Sequence, residues 1–291
     1  MAIHKISNSI LEVQVKTKGA ELAGLYNRQT GLEYMWNGDP AFWAKQSPVL
    51  FPIVGTLRQN TYYVNGQAYE LGRHGFARDR EFVLRESAEQ SLVFSLESDA
   101  ATLEKYPFPF RFDIIYTLQE ASLHVSYHVY NTGSTPLYFS VGGHPAFTVP
   151  LVAGTSFEDY ELYFDQVENS GRWLISPDGL IEKQSVPLLH NTQVLPLSKP
   201  LFAKDALVFK DIRSTEITLR SSRTPHGLRF TKHGFPYLGI WSAPGADFVC
   251  IEPWCGIADP VDSTQQLTEK EGIEVLAPGQ TFERTWSVTT F

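Results

Sequence analysis

Residues 110–131 read FRFDIIYTLQEASLHVSYHVYN, and this stretch decides the fold class. Apolar side chains stand at every second position on both sides of a break at 120–121: Phe112, Ile114, Tyr116 and Leu118, then Leu123, Val125, Tyr127 and Val129. A period of two is typical of half-buried strands, because successive side chains point to opposite faces of a sheet. The stretch therefore predicts a hairpin of two antiparallel strands.

The same alternation recurs along the chain and predicts further short strands, for example at 13–15, 92–96 and 217–219. Residues 62–64 and 67–70 flank Asn65-Gly66, a favourable two-residue hairpin turn because both residues tolerate positive φ. We therefore expect an all-β fold of two packed antiparallel sheets, with residues 1–291 as a single domain.

Helix is scarce in this sequence. Ala100 to Tyr106 predicts a short helix that Ser98 or Asp99 caps and Pro107 ends. A second short helix is predicted from 39 to 44, where Pro40 suits the first turn.

The composition describes an ordinary globular protein and excludes several function classes. Of 291 residues, 43% are hydrophobic and 19% charged, and the net charge of -8 offers no basic field for nucleic acid or an anionic membrane. No stretch approaches the roughly 20 apolar residues of a membrane span, and the first residues lack the apolar core of a secretion signal. The two cysteines, Cys250 and Cys255, fit a reducing compartment, so we expect a cytoplasmic protein.

Three short segments present polar residues between Gly, Pro and aromatic neighbours. They are residues 73–78 (RHGFAR), 142–147 (GGHPAF) and 251–256 (IEPWCG), which contain His74, His144 and Glu252. Histidine exchanges protons near neutral pH, and a glutamate serves as its partner base. Each residue alone has a structural interpretation: a hydrogen-bonded histidine, or a carboxylate that caps a turn. Their shared surroundings favour an acid/base site assembled from distant loops.

Taken in order, these segments resemble the aldose 1-epimerase (galactose mutarotase-like) superfamily. The segment 74–78 resembles the family's first histidine motif, 143–147 the second, and 252–254 the acidic motif. Residues 52–60 resemble an early arginine-containing segment, and 204–209 resemble the segment with a substrate-binding aspartate. The resemblance runs nearly end to end and implies a large antiparallel β super-sandwich that interconverts sugar anomers.

The resemblance also implies the roles of the catalytic residues. Glu252 would be the general base on the anomeric hydroxyl, and His144 the general acid on the ring oxygen. His74 and Arg58 would hydrogen-bond the reacting oxygens, while Asp205 would hold a sugar hydroxyl. This proton transfer requires an acid and a base, with no metal or redox cofactor.

Two features bear on the substrate. Trp254 or Phe147 would form a wall for the apolar face of a pyranose, although both residues also suit a core. Gly143 stands where the best-known galactose mutarotases have Asn, and the form of the first motif is closer to the LacX-like and hexose-6-phosphate mutarotase-like branch.

In that branch arginines near the first histidine receive phosphate. Arg58, Arg73 and Arg78 are therefore candidates for anion binding, since guanidinium groups match phosphate geometry. The alternative for the last two is a solvated loop charge or an ion pair with Asp79.

The preferred interpretation is an aldose 1-epimerase acting on a hexose or hexose phosphate, as a monomer or homodimer. One alternative is a non-catalytic carbohydrate-binding or sugar-sensing protein on the same scaffold. A glycoside hydrolase is a weaker alternative, because it normally needs two carboxylates and would have to recruit Asp205 or Asp259.

Overall fold

The structure is a computed structural model that describes residues 2–291. Within that range the chain forms 25 strands and one α-helix, α1 (Ala100–Leu103). In chain order the strands are β1 Ile3–Ser7, β2 Leu11–Lys16, β3 Glu21–Asn27, β4 Leu32–Glu33, β5 Val49–Leu50, β6 Thr61–Val64, β7 Gln67–Glu70, β8 Val83–Ser87, β9 Ser91–Glu97, β10 Phe110–Gln119, β11 Ser122–Asn131, β12 Leu137–Phe139, β13 Val141–Gly143, β14 Ala146–Thr148, β15 Tyr160–Glu168, β16 Gly171–Ile175, β17 Ile181–Pro187, β18 Thr192–Pro196, β19 Leu207–Phe209, β20 Glu216–Ser221, β21 Thr224–Thr231, β22 Tyr237–Trp241, β23 Phe248–Cys255, β24 Glu274–Leu276 and β25 Thr281–Thr290. The 3-10 turns are Arg58–Asn60, Ala77–Asp79, Phe157–Asp159, Lys199–Phe202 and Leu267–Glu269.

Two large antiparallel sheets dominate the fold. The nine-stranded sheet has the order β18-β15-β20-β21-β25-β11-β10-β9-β8. The eight-stranded sheet has the order β17-β16-β19-β22-β23-β13-β5, with β14 also paired to β23. A four-stranded sheet, β1 to β4, and the pairs β12-β24 and β6-β7 complete the architecture. The all-β prediction with two packed sheets is confirmed; that residues 1–291 form one domain stays a prediction.

Both predicted hairpins are present. β10 and β11 pair along their full length, with Phe112 opposite Val129, and they lie inside the nine-stranded sheet. β6 and β7 are joined by Asn65-Gly66, whose φ angles of 50° and 80° are the positive values expected for this turn.

One of the two helix predictions is confirmed in its start but not in its end, since the helix stops at Leu103 and does not reach Tyr106; the other is wrong. Helix α1 begins after Asp99, whose side chain forms a capping box with Thr102. Residues 39–44 form only a turn, in which the Asp39 carbonyl accepts from the N–H groups of Phe42 and Trp43. Such a short segment gains little from helix formation, whereas the Trp43 indole gains packing against the ring of Phe248. No helix in residues 2–291 has the length and apolar character to cross a membrane.

Strand β23 is buried along its whole length and divides two environments. Val249, Ile251 and Cys255 pack in the main core between the two large sheets. The even-numbered residues from Phe248 to Trp254 belong to the opposite face, as the alternation of a strand requires. The outer face of the eight-stranded sheet therefore has apolar packing of its own, and this packing surrounds the candidate site.

We expect Phe112→Ala to lower the free energy of unfolding by about 3–5 kcal/mol, as large core truncations do. Phe112 is fully buried, and its ring stacks on that of Phe51 at 4.6 Å between the centroids. Urea unfolding measures the change. Val83→Ala, on the exposed strand β8, is the control and should stay within about 0.5 kcal/mol of the parent. Similar small effects of both substitutions would contradict this view of the core.

Candidate active site

A cavity of about 490 Å³ opens on the outer face of the eight-stranded sheet. This volume lies in the range of about 300–1,000 Å³ that small-molecule sites occupy. His74, His144 and Glu252, which the sequence singles out from three distant segments, all line it. The structure thus brings together residues that are far apart in sequence, in one concave site.

The His144–Glu252 pair is held together by the pairing of neighbouring strands. Glu252 is on β23, opposite Gly239 of β22. His144 is in the link between β13 and β14, both of which pair with β23. His144 Nε2 lies 3.3 Å from Glu252 Oε2. Main-chain pairing on both sides therefore fixes the separation of the two side chains.

Burial controls the protonation of this pair. It lowers the pKa of His144 to about 3 and raises the pKa of Glu252 well above its ordinary value, an effect that the nearby Arg73 guanidinium partly opposes. Both shifts favour the neutral forms, because charge is disfavoured where water is excluded. Burial therefore favours the state in which the Glu252 carboxyl group keeps its proton and the His144 ring is neutral. His144 Nδ1 and Glu252 Oε2 are buried without hydrogen-bond partners among residues 2–291.

His74 is held in one tautomer by the chain next to it. The Gly55 N–H donates to His74 Nδ1 at 3.0 Å, and the His74 N–H donates to the Gly55 carbonyl at 2.8 Å. Because Nδ1 accepts, the neutral ring carries its proton on Nε2. Burial lowers the pKa of His74 well below its usual value, which keeps the ring neutral. Arg73 Nε lies 3.3 Å from Nε2 and is itself a donor, so a ligand oxygen is the better acceptor for the Nε2 proton.

The backbone of the first histidine segment packs too tightly for other residues at Gly75. His74 and Gly75 both have positive φ, 67° and 69°. A Cβ at Gly75 would lie 2.3 Å from the carbonyl oxygen of Phe51. That same oxygen accepts hydrogen bonds from the N–H groups of Phe76 and Ala77. These two residues of positive φ thus bring the loop against Phe51, the residue after β5, and the His74 ring lines the cavity.

Two arginines and an aspartate line the cavity near its exposed side. Arg73 forms a long ion pair of 3.8 Å with Asp205. Arg78 donates to the Arg73 carbonyl at 2.8 Å and lies 3.7 Å from Asp79, so the predicted ion pair with Asp79 is present but long. Arg78 Nε is buried without a partner among the described residues. The cavity lining on this side therefore carries two positive side chains and one negative one, and Asp79, outside the lining, partly offsets Arg78.

Two residues of the sequence prediction lie elsewhere. The Arg58 guanidinium donates to the Ser263 carbonyl at 3.0 Å, outside the cavity lining, and its backbone N–H donates to Asp259. Phe147 is fully buried in the main core against Phe230. Trp254, the alternative to Phe147 as an aromatic wall, does line the cavity.

Sequence reasoning missed two aromatic residues that flank the acid/base pair. The Trp43 ring lies 4.9 Å from the His144 ring, and the Trp241 ring lies 5.5 Å from it at 83°. Both line the cavity. Trp43 falls in the wrongly predicted helix, and Trp241 ends the apolar strand β22, so neither carries a local signal of a site.

Comparison with known proteins identifies relatives over nearly the whole chain. The model of the aldose 1-epimerase family matches residues 3–285. Protein LacX, chromosomal, from Lactococcus lactis subsp. lactis is 36% identical over 295 residues, which cover 98% of each chain. A galactose mutarotase related enzyme from Lactobacillus acidophilus has a TM-score of 0.94 at 32% identity, over 100% of this chain and 97% of that one. A galactose mutarotase-like protein from Lactobacillus casei ATCC 334 has a TM-score of 0.92 at 30% identity, over 100% of both. The resemblance stated from the sequence is confirmed, as is the mutarotase-like fold.

We expect Glu252→Gln to stabilise the protein more at neutral than at acidic pH. Because the pKa of Glu252 is raised in the folded state, its carboxyl group ionises in the unfolded state first, above about pH 4.5. The free energy of unfolding of the parent therefore falls as the pH rises. Glutamine does not titrate, so the variant escapes this loss. Urea unfolding of both proteins at about pH 4.5 and pH 7.5 measures the difference. A difference that is constant or shrinks toward neutral pH would contradict the burial argument.

Proposed function

Since this chain belongs to the aldose 1-epimerase family, we propose that it is a mutarotase that interconverts the α and β anomers of a hexose or hexose phosphate. The observation that carries the proposal is the buried His144–Glu252 pair, 3.3 Å apart, in a cavity of about 490 Å³. Ring opening removes one proton from the sugar and adds one proton to it, so a neighbouring base and acid that exchange one proton are sufficient.

Ring opening starts from the form of the pair in which the proton has moved from Glu252 to His144. Glu252, as carboxylate, takes the proton from the anomeric hydroxyl, and His144 gives its proton to the ring oxygen. The bond between the anomeric carbon and the ring oxygen breaks, and the hydroxyl becomes an aldehyde. Rotation of the aldehyde about its bond to the next carbon exposes the other face, and reclosure with reversed proton transfers forms the other anomer. No net proton is consumed.

The geometry of the pair matches the geometry of the reacting group. The anomeric hydroxyl oxygen and the ring oxygen are bonded to the same carbon, so they lie close together and need an acid and a base that are also close. His144 and Glu252 supply both from adjoining strands. A sugar oxygen that enters between them replaces a poorly aligned contact, since Glu252 Oε2 has no hydrogen-bond partner among the described residues.

Other residues of the cavity orient the sugar. The His74 Nε2–H is a neutral donor for a reacting oxygen, because the Gly55 N–H occupies Nδ1. Asp205, at the exposed side, accepts from sugar hydroxyls. Trp43 and Trp241 offer apolar surface beside His144, which suits the apolar face of a pyranose.

Arg73 and Arg78 suit a phosphate on the sugar. Arg78 Nε is buried without a hydrogen bond and has only a long ion pair of 3.7 Å with Asp79, and Arg73 has only a long ion pair of 3.8 Å with Asp205. A phosphate gives such donors acceptors with matching geometry. Arg58, which the sequence also proposes as an anion ligand, is left out of this proposal, because its guanidinium donates to the Ser263 carbonyl and does not line the cavity.

We expect Glu252→Gln and His144→Asn each to slow anomer exchange by about 10²–10⁴-fold, the usual contribution of a positioned acid or base. NMR exchange spectroscopy of the anomeric protons, on glucose, galactose and their 6-phosphates, measures the rate. His124→Asn, on strand β11 of the other large sheet, is the matched histidine control and should retain the parent rate. If the parent accelerates none of the four sugars yet binds one in calorimetry, with binding retained in both variants, a sugar-binding protein replaces the enzyme.

We expect Arg78→Gln to lower kcat/KM for a hexose 6-phosphate by about tenfold or more, the effect of losing one charged hydrogen bond. The loss on the free hexose should be at least about fivefold smaller, because only the contacts of Arg78 with the protein, such as its hydrogen bond to the Arg73 carbonyl, are lost with both substrates. The same NMR assay with both sugars gives the two ratios. Equal losses on both substrates would show that Arg78 supports the loop and does not select for phosphate.

A further inference from the structure

Cys250, whose thiol is a possible metal ligand, lies beside His144 and Glu252 and has no role in the proposed reaction. The ligand atoms of His144, Cys250 and Glu252 all lie within 4.8 Å of one another, and all three residues are buried. Cys250 is a free thiol. We propose that this cluster binds a thiophilic divalent cation of the Zn²⁺ class, and that the bound cation blocks the acid/base pair.

The strand geometry holds the three ligands on one face. Cys250 and Glu252 are two residues apart on β23, so their side chains point to the same side of the sheet. Ala146, two residues after His144, pairs with Cys250 across the sheet. The ligands therefore come from adjoining, hydrogen-bonded segments, and only small side-chain movements are needed to close them around an ion.

The distances and the donor types fit zinc. With bonds of about 2.0–2.1 Å, two ligands at the tetrahedral angle around Zn²⁺ are about 3.3 Å apart, which is the separation of His144 Nε2 and Glu252 Oε2. Imidazole, carboxylate and thiolate are all ligands of Zn²⁺. Glu252 Oε2 is aimed at His144 and lacks a hydrogen-bond partner among residues 2–291, although the residue is 1% exposed. An ion would satisfy this oxygen.

The fourth coordination position would face the cavity. His144 and Glu252 line the cavity, so an ion reaches the cluster through the same opening as a sugar. On binding, the Cys250 thiol and the Glu252 carboxyl group each release a proton to solvent, and the ion occupies lone pairs of both the base and the acid. The ion is thus an inhibitor and not a cofactor. This inhibitory part rests on the proposed function, whereas ion binding does not.

The test uses the full chain with Zn²⁺ in calorimetry and Co²⁺ in absorption spectroscopy. We expect one Zn²⁺ per chain at this site and a thiolate-to-cobalt charge-transfer band from Cys250. Cys250→Ser should abolish the band and weaken Zn²⁺ binding by at least about tenfold, because a neutral hydroxyl is a poor zinc ligand. Cys255→Ser is the matched control, since Cys255 is equally buried on β23 but packs in the main core and contacts the Gly234 carbonyl. It should retain both the band and the affinity.

Two results would overturn the proposal: no charge-transfer band in the parent, or Zn²⁺ affinity that is unchanged in Cys250→Ser when circular dichroism shows the variant to be folded. Anomer exchange gives a separate readout, in which Zn²⁺ should stop the parent and affect Cys250→Ser at least about tenfold less. If the parent has no exchange activity, the proposed function fails, while the cobalt spectrum still decides whether the ion binds. If activity is present and Zn²⁺ binds without slowing it, the inhibitory part is wrong.

Discussion

Exclusion of water from strand β23 is the constraint on which the site depends. One face of the strand is packed in the core between the two large sheets, and the other face is covered by its own apolar cluster. Glu252 is 1% exposed in this setting, so burial raises the pKa of its carboxyl group and favours the protonated form, with His144 Nε2 3.3 Å away. In the proposed reaction, the oxygen atoms of a sugar supply polar partners to this buried pair. The same burial leaves Glu252 Oε2 without a hydrogen-bond partner among the described residues, close to the Cys250 thiol. This is the basis of the inferred ion site.

A buried ion pair between Lys270 and Asp259 supports the site. Lys270 Nζ donates to the Ile257 carbonyl at 2.6 Å and to Asp259 at 2.8 Å, with both charged side chains almost fully buried. Removal of one partner of such a pair is strongly destabilising, because it leaves a buried charge. The pair holds the loop after β23 against Gly55, where an added Cβ would lie 2.4 Å from Ala258. Since Gly55 fixes the tautomer of His74, the ion pair and the site are parts of one packed unit.

The sequence alone determined the features that depend on neighbours along the chain. The period of two in 110–131 specifies β10 and β11 and their register, because a slip of one residue would turn the apolar side chains outward. Asn65-Gly66 specifies its turn through positive φ, and Asp99 specifies the start of α1 through its side-chain cap. His74, His144 and Glu252 are also recognisable in sequence, because Gly and Pro beside each of them give a local signal, and the order of the three segments matches a known family.

Only the tertiary structure decided which distant residues meet. Arg58 resembles a substrate ligand in sequence, yet its partner Ser263 is distant in the chain and draws it away from the cavity. Trp43 and Trp241 flank His144 although nothing near them in sequence indicates a site. The turn at 39–44 replaces a predicted helix because packing of the half-buried Trp43 indole on Phe248 outweighs the weak helix preference of a short segment. The protonation of the pair is likewise a property of the fold: it follows from burial, which two packed sheet faces create and no single segment specifies.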